Sequence, residues 1–288
     1  MWEAVVTSIL SKHILFESVE ISDAALAEIS LTLEMHRDFR MSVYKDKCMK
    51  RRIAIRMRSC RCNDAAAYCA LLRQNDHELD LLKKALTIHV SQFFRNPAMF
   101  KKLQTAIFPY LFQKAEAAQE PLRLWSLGCA GGEEAYSLGI LLREFFSGQL
   151  MHTSVEIYGA DIDADTLQAA IHAEYIEDRL KEVPTAIRER YFISNGPRLL
   201  LTSEIRDMVT FHQRDIMAVE TYEPCLMALC RNTLIYFNRP DQEKILLGIA
   251  HILPSGGILV LGKSETLVGD ARKLFTTVCP VERIYCRL

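Results

Sequence analysis

At 288 residues the chain is long enough for one large domain or two ordinary ones, and half of its residues are hydrophobic against a quarter charged. That balance excludes a disordered or fibrous protein. A formal net charge of −1 leaves no global attraction to nucleic acid or to a membrane surface, so any such preference has to be local.

The opening "MWEAVVTSILSKHILFESVE" has no basic leader and carries an early acid, and no uncharged apolar run approaches the roughly 18 residues of a membrane helix. A cytoplasmic protein without membrane insertion is expected. The nine cysteines are an odd number with no C-x-x-C pair. They fit reduced thiols better than a disulfide framework, and the tight Cys60-x-Cys62 spacing does not suit zinc.

Residues 1–85 read as a helical domain. "ISDAALAEISLTLEMHRDF" opens on Ser22 and Asp23, good N-cap residues, and places Leu26, Ile29 and Leu33 at helical spacing. "DAAAYCALLRQN" and "DHELDLLKKALTIHV" repeat the pattern, each begun by Asp. Between the first stretch and these two, residues 44–61 hold eight Lys or Arg against one Asp. On a helix Arg51 and Arg58 share a face, and Arg52 and Arg56 stand at i and i+4. Such a run is either a solvated face or a surface for an acidic partner.

Residues 86–121 form a linking segment, and from 122 the rhythm becomes strand, helix, strand. "LRLWSLG", "VEIYGADI", "CLMALCRN" and "GGILVLG" are continuous apolar runs separated by helical stretches, the pattern of an α/β fold with a parallel sheet covered on both faces. "FTTVCPVERIYCRL" predicts a closing antiparallel pair. Residues 198–213 read as a small inserted hairpin, a β-subdomain near 193–213.

In such sheets ligands sit beyond the carboxyl ends of the strands. There stand Gly128, Gly131, Gly132, Glu133 and Glu134 after the first strand, Asp161 and Asp163 after the second, and Arg231, Asn232 and Tyr236 after the third. The glycines match neither G-x-G-x-x-G nor a P-loop, and paired acids repel a phosphate. A cationic, polyhydroxyl ligand suits them, and S-adenosylmethionine is one. Glu133 and Glu134 also suit the positive end of a helix dipole, and Asp161 or, better placed, Asp163 is a fitting N-cap. Phe93 and Phe94 read as core, and Cys129 has no histidine near it in sequence to make a nucleophile of it.

With these residues in order, the chain resembles the chemotaxis receptor methyltransferases, the CheR family. "HVSQFFRNP" is similar to the family's N-x-T-x-F-F-R, and "GCAGGEEAYSLG" to C-x-x-G-E-E-x-Y-S. "CRNTLIYF" is similar to C-R-N-x-x-I-Y-F, "GADIDADTL" to the acidic second-strand end, and "GGILVLGKSETL" to the late strand with its G-H-S-E. The resemblance implies a Rossmann-like class I methyltransferase fold that uses S-adenosylmethionine to esterify glutamates on the cytoplasmic helices of chemoreceptors. It implies His89, Ser91 and Arg95 over the cofactor, Glu134 on the methionine amino group and Asp161 on the ribose. Asp215 and Ile216 fall at the adenine, Arg231 and Asn232 complete the pocket, and Tyr236 stands near the sulfonium. Arg95 would clamp the incoming carboxylate, and the basic helix with Arg51, Arg52, Arg56 and Arg58 would meet the receptor. Three positions depart from the family: His89 and Asp215 each replace an Asn, and Lys263 replaces a His. The turn in the β-subdomain looks short for binding a receptor tether, so a tether-independent enzyme is expected. No (N/D)PPY motif of nucleic-acid amino-methylation is present. A same-fold enzyme for another substrate and a non-catalytic cofactor-binding scaffold are the other readings.

Overall fold

The computed structural model describes residues 21–87 and 91–288. Internal contacts divide the chain into two compact units, Met1–Leu86 and Thr87–Leu288.

The first unit is helical: α1 (Asp23–Arg37), α2 (Asp46–Ser59), α3 (Ala65–Gln74) and α4 (Asp76–Leu86). Two of the caps that the sequence predicts are in place, while at α4 Asn75 rather than Asp76 accepts, from the Glu78 amide at 3.0 Å. Ser22 Oγ accepts the Ala25 N–H at 3.2 Å, and Asp64 accepts that of Ala67 at 2.7 Å. Each satisfies an amide that a helix start leaves without an internal partner. The core is assembled from one stripe per helix: Leu26, Ile29 and Leu33 from α1, Met49, Ile53 and Met57 from α2, Tyr68 and Leu72 from α3, Leu79 and Leu82 from α4. In α2 the buried residues recur every four positions, which turns its cations away from that stripe or along its flanks. Truncating the fully buried Ile53 to Ala should cost about 2–5 kcal/mol.

The second unit begins with α5 (Pro97–Lys102), a π-helical turn over Leu103–Ile107 and α6 (Phe108–Ala118). There follow β1 (Leu122–Leu127), α7 (Glu133–Phe145), β2 (Val155–Asp161) and α8 (Ala164–His172). An insertion comes next, with β3 (Glu174–Tyr175), α9 (Thr185–Tyr191), β4 (Phe192–Asn195) and β5 (Arg198–Leu201). The chain closes with β6 (Val209–Gln213), β7 (Met227–Cys230), α10 (Arg239–Ile252), β8 (Ile258–Leu261), β9 (Phe275–Cys279) and β10 (Ile284–Arg287).

The main sheet has the order β6-β2-β1-β7-β8-β10-β9. Strands β6, β2, β1, β7 and β8 are parallel; β10 runs antiparallel to both β8 and β9. Both faces of the central strands are buried, so β7 and β8 read as unbroken apolar runs, and β1 departs from one only at the half-buried Arg123 and at Ser126. The chain runs outward from β1 to β2 and β6 on one side and from β7 to β8 on the other. Strand order therefore reverses between β1 and β7, and a crevice opens beyond their carboxyl ends.

The inserted hairpin lies earlier than expected. Its strands are β4 and β5, joined by Gly196 and Pro197, with β3 as a third strand beside β5. Residues 209–213, which alternate like a hairpin arm, instead pair in parallel with β2, from Ile157 opposite Val209 to Asp161 opposite Gln213.

Candidate active site

The glycine loop after β1 is pinned to the end of β2. The amides of Gly128 and Cys129 both donate to the Ala160 carbonyl, at 2.8 and 2.9 Å, and Ala130 N–H donates to Asp161 Oδ2 at 2.9 Å. Asp161 Oδ1 takes the Asp163 amide at 3.1 Å. This carboxylate is thus fixed by backbone at the tip of β2, while Asp163 caps α8 through the Thr166 amide at 2.8 Å. Two of the loop's glycines are conformationally required. Gly128 and Gly132 have φ of 69° and 83°, and a Cβ would meet Thr233 Oγ1 at 2.6 Å or the Phe211 ring at 2.7 Å.

The adjacent glutamates of α7 point to different partners. Glu134 Oε1 accepts from Ser126 Oγ at 2.8 Å and Oε2 from Arg231 Nη1 at 2.8 Å. Its side chain keeps 14% of its surface exposed, whereas that of Arg231 keeps 2%. The second terminal nitrogen of Arg231, Nη2, donates to the Arg95 carbonyl at 2.8 Å. One buried cation at the tip of β7 therefore joins the acid of α7 to the backbone of the 91–95 segment. Glu133 is buried instead, with Oε1 3.7 Å from the Arg179 guanidinium. Ser91 carries the carbonyl that accepts from Arg179, and Phe93 and Phe94 are core residues, as the sequence reading has them.

At the end of β6, Arg214 N–H donates to the Asp161 carbonyl at 3.0 Å, which sets Asp215 and the buried Ile216 beside the tip of β2. Asp215 caps the following 3₁₀ turn by accepting the Met217 amide at 2.9 Å, a role its carboxylate performs as well as an Asn would. Beyond β7, Asn232 adopts φ 59° and Tyr236 stands half-buried in the turn Leu234–Tyr236.

Glu265, the acid of the stretch similar to G-H-S-E, organises this segment, a role that the sequence does not assign to it. It is buried and accepts the amides of Gly262, Asn232 and Ile235 at 2.6, 2.8 and 3.3 Å. Burial pushes its carboxyl above the ordinary value in spite of those donors. Its signal in the sequence is that match, with the acid four residues beyond the end of β8. Lys263, two residues before it, is exposed, with its ammonium 3.8 Å from Glu282. His89 lies outside the described residues. Burial, with the carboxylates of Asp161, Glu133 and Glu134 nearby, holds the Cys129 thiol well above its usual range, the opposite of an activated nucleophile.

The four arginines of α2 separate into two kinds. Arg56 makes a bidentate pair with the buried Glu78, Nε to Oε1 at 2.8 Å and Nη2 to Oε2 at 2.6 Å, and Tyr68 hydroxyl donates to the same carboxylate at 2.8 Å. Arg52 donates to the Ala85 carbonyl at 2.5 Å. Both are engaged within their own helical unit. Arg51 and Arg58 are exposed, in a stripe with Lys47 and the 46%-exposed Ile55.

Comparison with known proteins accords with this geometry. Residues 89–282 match the model of the CheR methyltransferase SAM-binding domain, and residues 24–87 that of the CheR all-alpha domain. The chain belongs to the CheR methyltransferase family. It is 30% identical to chemotaxis protein methyltransferase 2 of Pseudomonas aeruginosa over 75% of this chain and 77% of that one. It is 29% identical to the chemotaxis protein methyltransferase of Listeria innocua over 80% and 86%. An uncharacterised 104.1 kDa protein of Rhodobacter capsulatus is 31% identical over 88% of this chain, which spans about a quarter (26%) of its length. The protein is accordingly an S-adenosylmethionine-dependent methyltransferase.

The residues at the crevice fit that cofactor. Each oxygen of Glu134 takes one side-chain donor, and a carboxylate oxygen has two acceptor positions, so the exposed edge of Glu134 can still receive an ammonium. Asp161, oriented by backbone on the neighbouring strand, suits a ribose diol, and Ile216 supplies an apolar wall.

Proposed function

We propose that the protein transfers the methyl group of S-adenosylmethionine to glutamate side chains on the cytoplasmic helices of chemoreceptors, giving methyl esters. When bound, the cofactor supplies an activated methyl group on a sulfonium. Glu134 would hold its ammonium, Asp161 its ribose, and Asp215 with Ile216 its base, while Ser91, Arg231 and Asn232 complete the surround. The acceptor is already an anion at neutral pH, since a glutamate titrates near about 4.3, so no general base is needed. What the protein must supply is aim and the exclusion of water. Arg95 would take the carboxylate in its planar fork, and the Tyr236 hydroxyl would steer it.

The observation that carries this reading is the Arg231 guanidinium, bonded at once to Glu134 on the donor side and to the Arg95 carbonyl on the acceptor side. The exposed Lys47–Arg51–Ile55–Arg58 stripe supports recognition of acidic receptor helices by the helical unit. The two-residue turn between β4 and β5 supports independence from a receptor tether. The direct assay is transfer of labelled methyl to receptor cytoplasmic fragments, with base-labile label expected. Arg95→Ala and Tyr236→Phe should lower turnover far more than they lower cofactor affinity. Normal turnover by both would refute the assigned roles.

A further inference from the structure

The Ser91–Arg95 segment belongs to no helix or strand, yet its backbone is held at four points. The Arg179 guanidinium donates to the Ser91 carbonyl, and Phe93 N–H donates to the Arg179 carbonyl at 3.0 Å. Phe94 N–H donates to Ser137 Oγ at 2.9 Å, and that hydroxyl donates to the Glu133 carbonyl at 2.6 Å. Arg231 holds the Arg95 carbonyl. Phe94 and Asn96 have φ of 51° and 68°. Left-handed backbone at non-glycine residues is strained and persists only where the surroundings over-determine it.

Two of the four attachments come from Arg179, which lies in the turn Glu177–Leu180 of the β3–β5 insertion. The same insertion grips Phe93, whose ring stands edge-on to Tyr175 of β3 and Phe192 of β4, with centroids 4.8 and 5.0 Å away. It also reaches the glycine loop, because Tyr175 hydroxyl donates to the Gly131 carbonyl at 2.6 Å. Glu133 faces the Arg179 guanidinium from the start of α7.

We infer that Arg179 is a positioning residue for Arg95. Through it the three-stranded insertion sets the 91–95 segment in register with the glycine loop, and Glu133 serves this clamp while Glu134 serves the cofactor. The insertion is then part of the machinery that aims the acceptor, and two consecutive glutamates have two separate tasks. The inference rests on the role proposed for Arg95.

The test uses Arg179→Met and Arg179→Lys in the full chain, with Arg95→Ala as reference. Hydrogen–deuterium exchange of the cofactor-free protein should show the amides of 91–96 exchanging at least about tenfold faster in Arg179→Met. Affinity for S-adenosylhomocysteine, read by calorimetry, should fall far less than turnover does, since of the cofactor's proposed partners Arg179 touches only Ser91. Turnover should fall about a hundredfold, the scale of a misplacement near 1 Å. Arg179→Lys, which keeps the charge beside Glu133, should recover part of both losses. Unchanged exchange at 91–96 overturns the inference whatever the activity, and so does a loss of turnover matched by an equal loss of cofactor affinity. A slow Arg95→Ala beside a normal Arg179→Met sinks the positioning role alone, whereas a normal Arg95→Ala sinks the underlying assignment. Should Arg179→Met fail to fold, Arg179→Gln, which keeps a polar side chain but loses the guanidinium that donates to the Ser91 carbonyl, is read against the same outcomes.

Discussion

Each unit of this protein contains an arginine bonded to a buried or nearly buried glutamate, and the two pairs do different work. In the helical unit Arg56 and Glu78 meet with two bonds, and Tyr68 takes up the same carboxylate. In the sheet unit Arg231 gives Glu134 a single bond and donates from Nη2 to the Arg95 carbonyl, and Glu134 keeps an edge open beyond β1. The same two side-chain types make a closed strut in one place and an open, shared junction in the other. What separates their roles is who else is bonded: the two arginines carry the same charge, and the open junction holds the more deeply buried one, Arg231 at 2% exposed against 21% for Arg56.

The largest expected effect attacks the strut. Arg56→Met leaves Glu78 buried without its cation, a change that typically costs about 3–5 kcal/mol. Urea unfolding of the full chain, followed by circular dichroism, should show that loss while cofactor affinity stays normal. Glu134→Gln is the counterpart. On the role proposed for Glu134 it would remove a charge-assisted bond to the cofactor ammonium, an expected loss of about 2 kcal/mol or roughly 30-fold in S-adenosylhomocysteine affinity by calorimetry. It should destabilise the fold less than Arg56→Met does. If Glu134→Gln binds normally but unfolds as easily as Arg56→Met, the two pairs are alike and the contrast is void.

The difference between the pairs was only partly legible in the sequence. Glu134, Asp161 and Arg231 stand at strand ends because buried parallel strands are continuous apolar runs, and a run has a visible end. The Asp163 cap was legible for the same local reason. The inward turn of Arg56 was not, because i, i+4 spacing shows which side chains share a helix face and nothing of what lies across from it. Glu78 comes from α4, and no local pattern links the two. Arg179 and the parallel pairing of β6 with β2 escaped likewise, since their partners are tens of residues away; Glu265 stood in a matched stretch, but its bonds to Asn232 and Ile235 were as distant. Residues 209–213 alternate well enough to pass for a hairpin arm, and only the register with β2 decides otherwise.

Acid should sharpen the contrast further. Burial raises the Glu78 carboxyl, but hydrogen bonds from Arg56, Cys60 and Tyr68 together outweigh it and leave it below its ordinary value of 4.5. A carboxyl lowered in the folded state contributes stability that is present above about 4.5 and lost as pH falls through the folded value. Wild-type stability should therefore decline below about pH 4.5 with a component that Glu78→Gln lacks. Parallel curves for the two proteins across that range would show that the strut is not held by charge.

The smallest effect concerns the arginines of α2 that the strut does not use. Arg51 and Arg58 are exposed on the stripe that also carries Lys47 and Ile55, so reversing both to Glu changes surface charge and leaves the core stripe of Met49, Ile53 and Met57 intact. Rim charges act mainly on encounter with a partner of opposite sign. The doubly reversed protein should show a receptor-fragment KM raised about fivefold, with kcat and the urea midpoint nearly unchanged. The difference from wild type should shrink as salt is raised, since exposed charges are screened beyond about 8 Å at physiological ionic strength. Reversal at Arg52 and Arg56 should instead act through stability, because those two side chains are bonded to Ala85 and Glu78. An Arg51→Glu, Arg58→Glu enzyme with an unaltered KM at low salt would return the stripe to an ordinary solvated face, and the helical unit would then need another surface on which to meet an acidic helix.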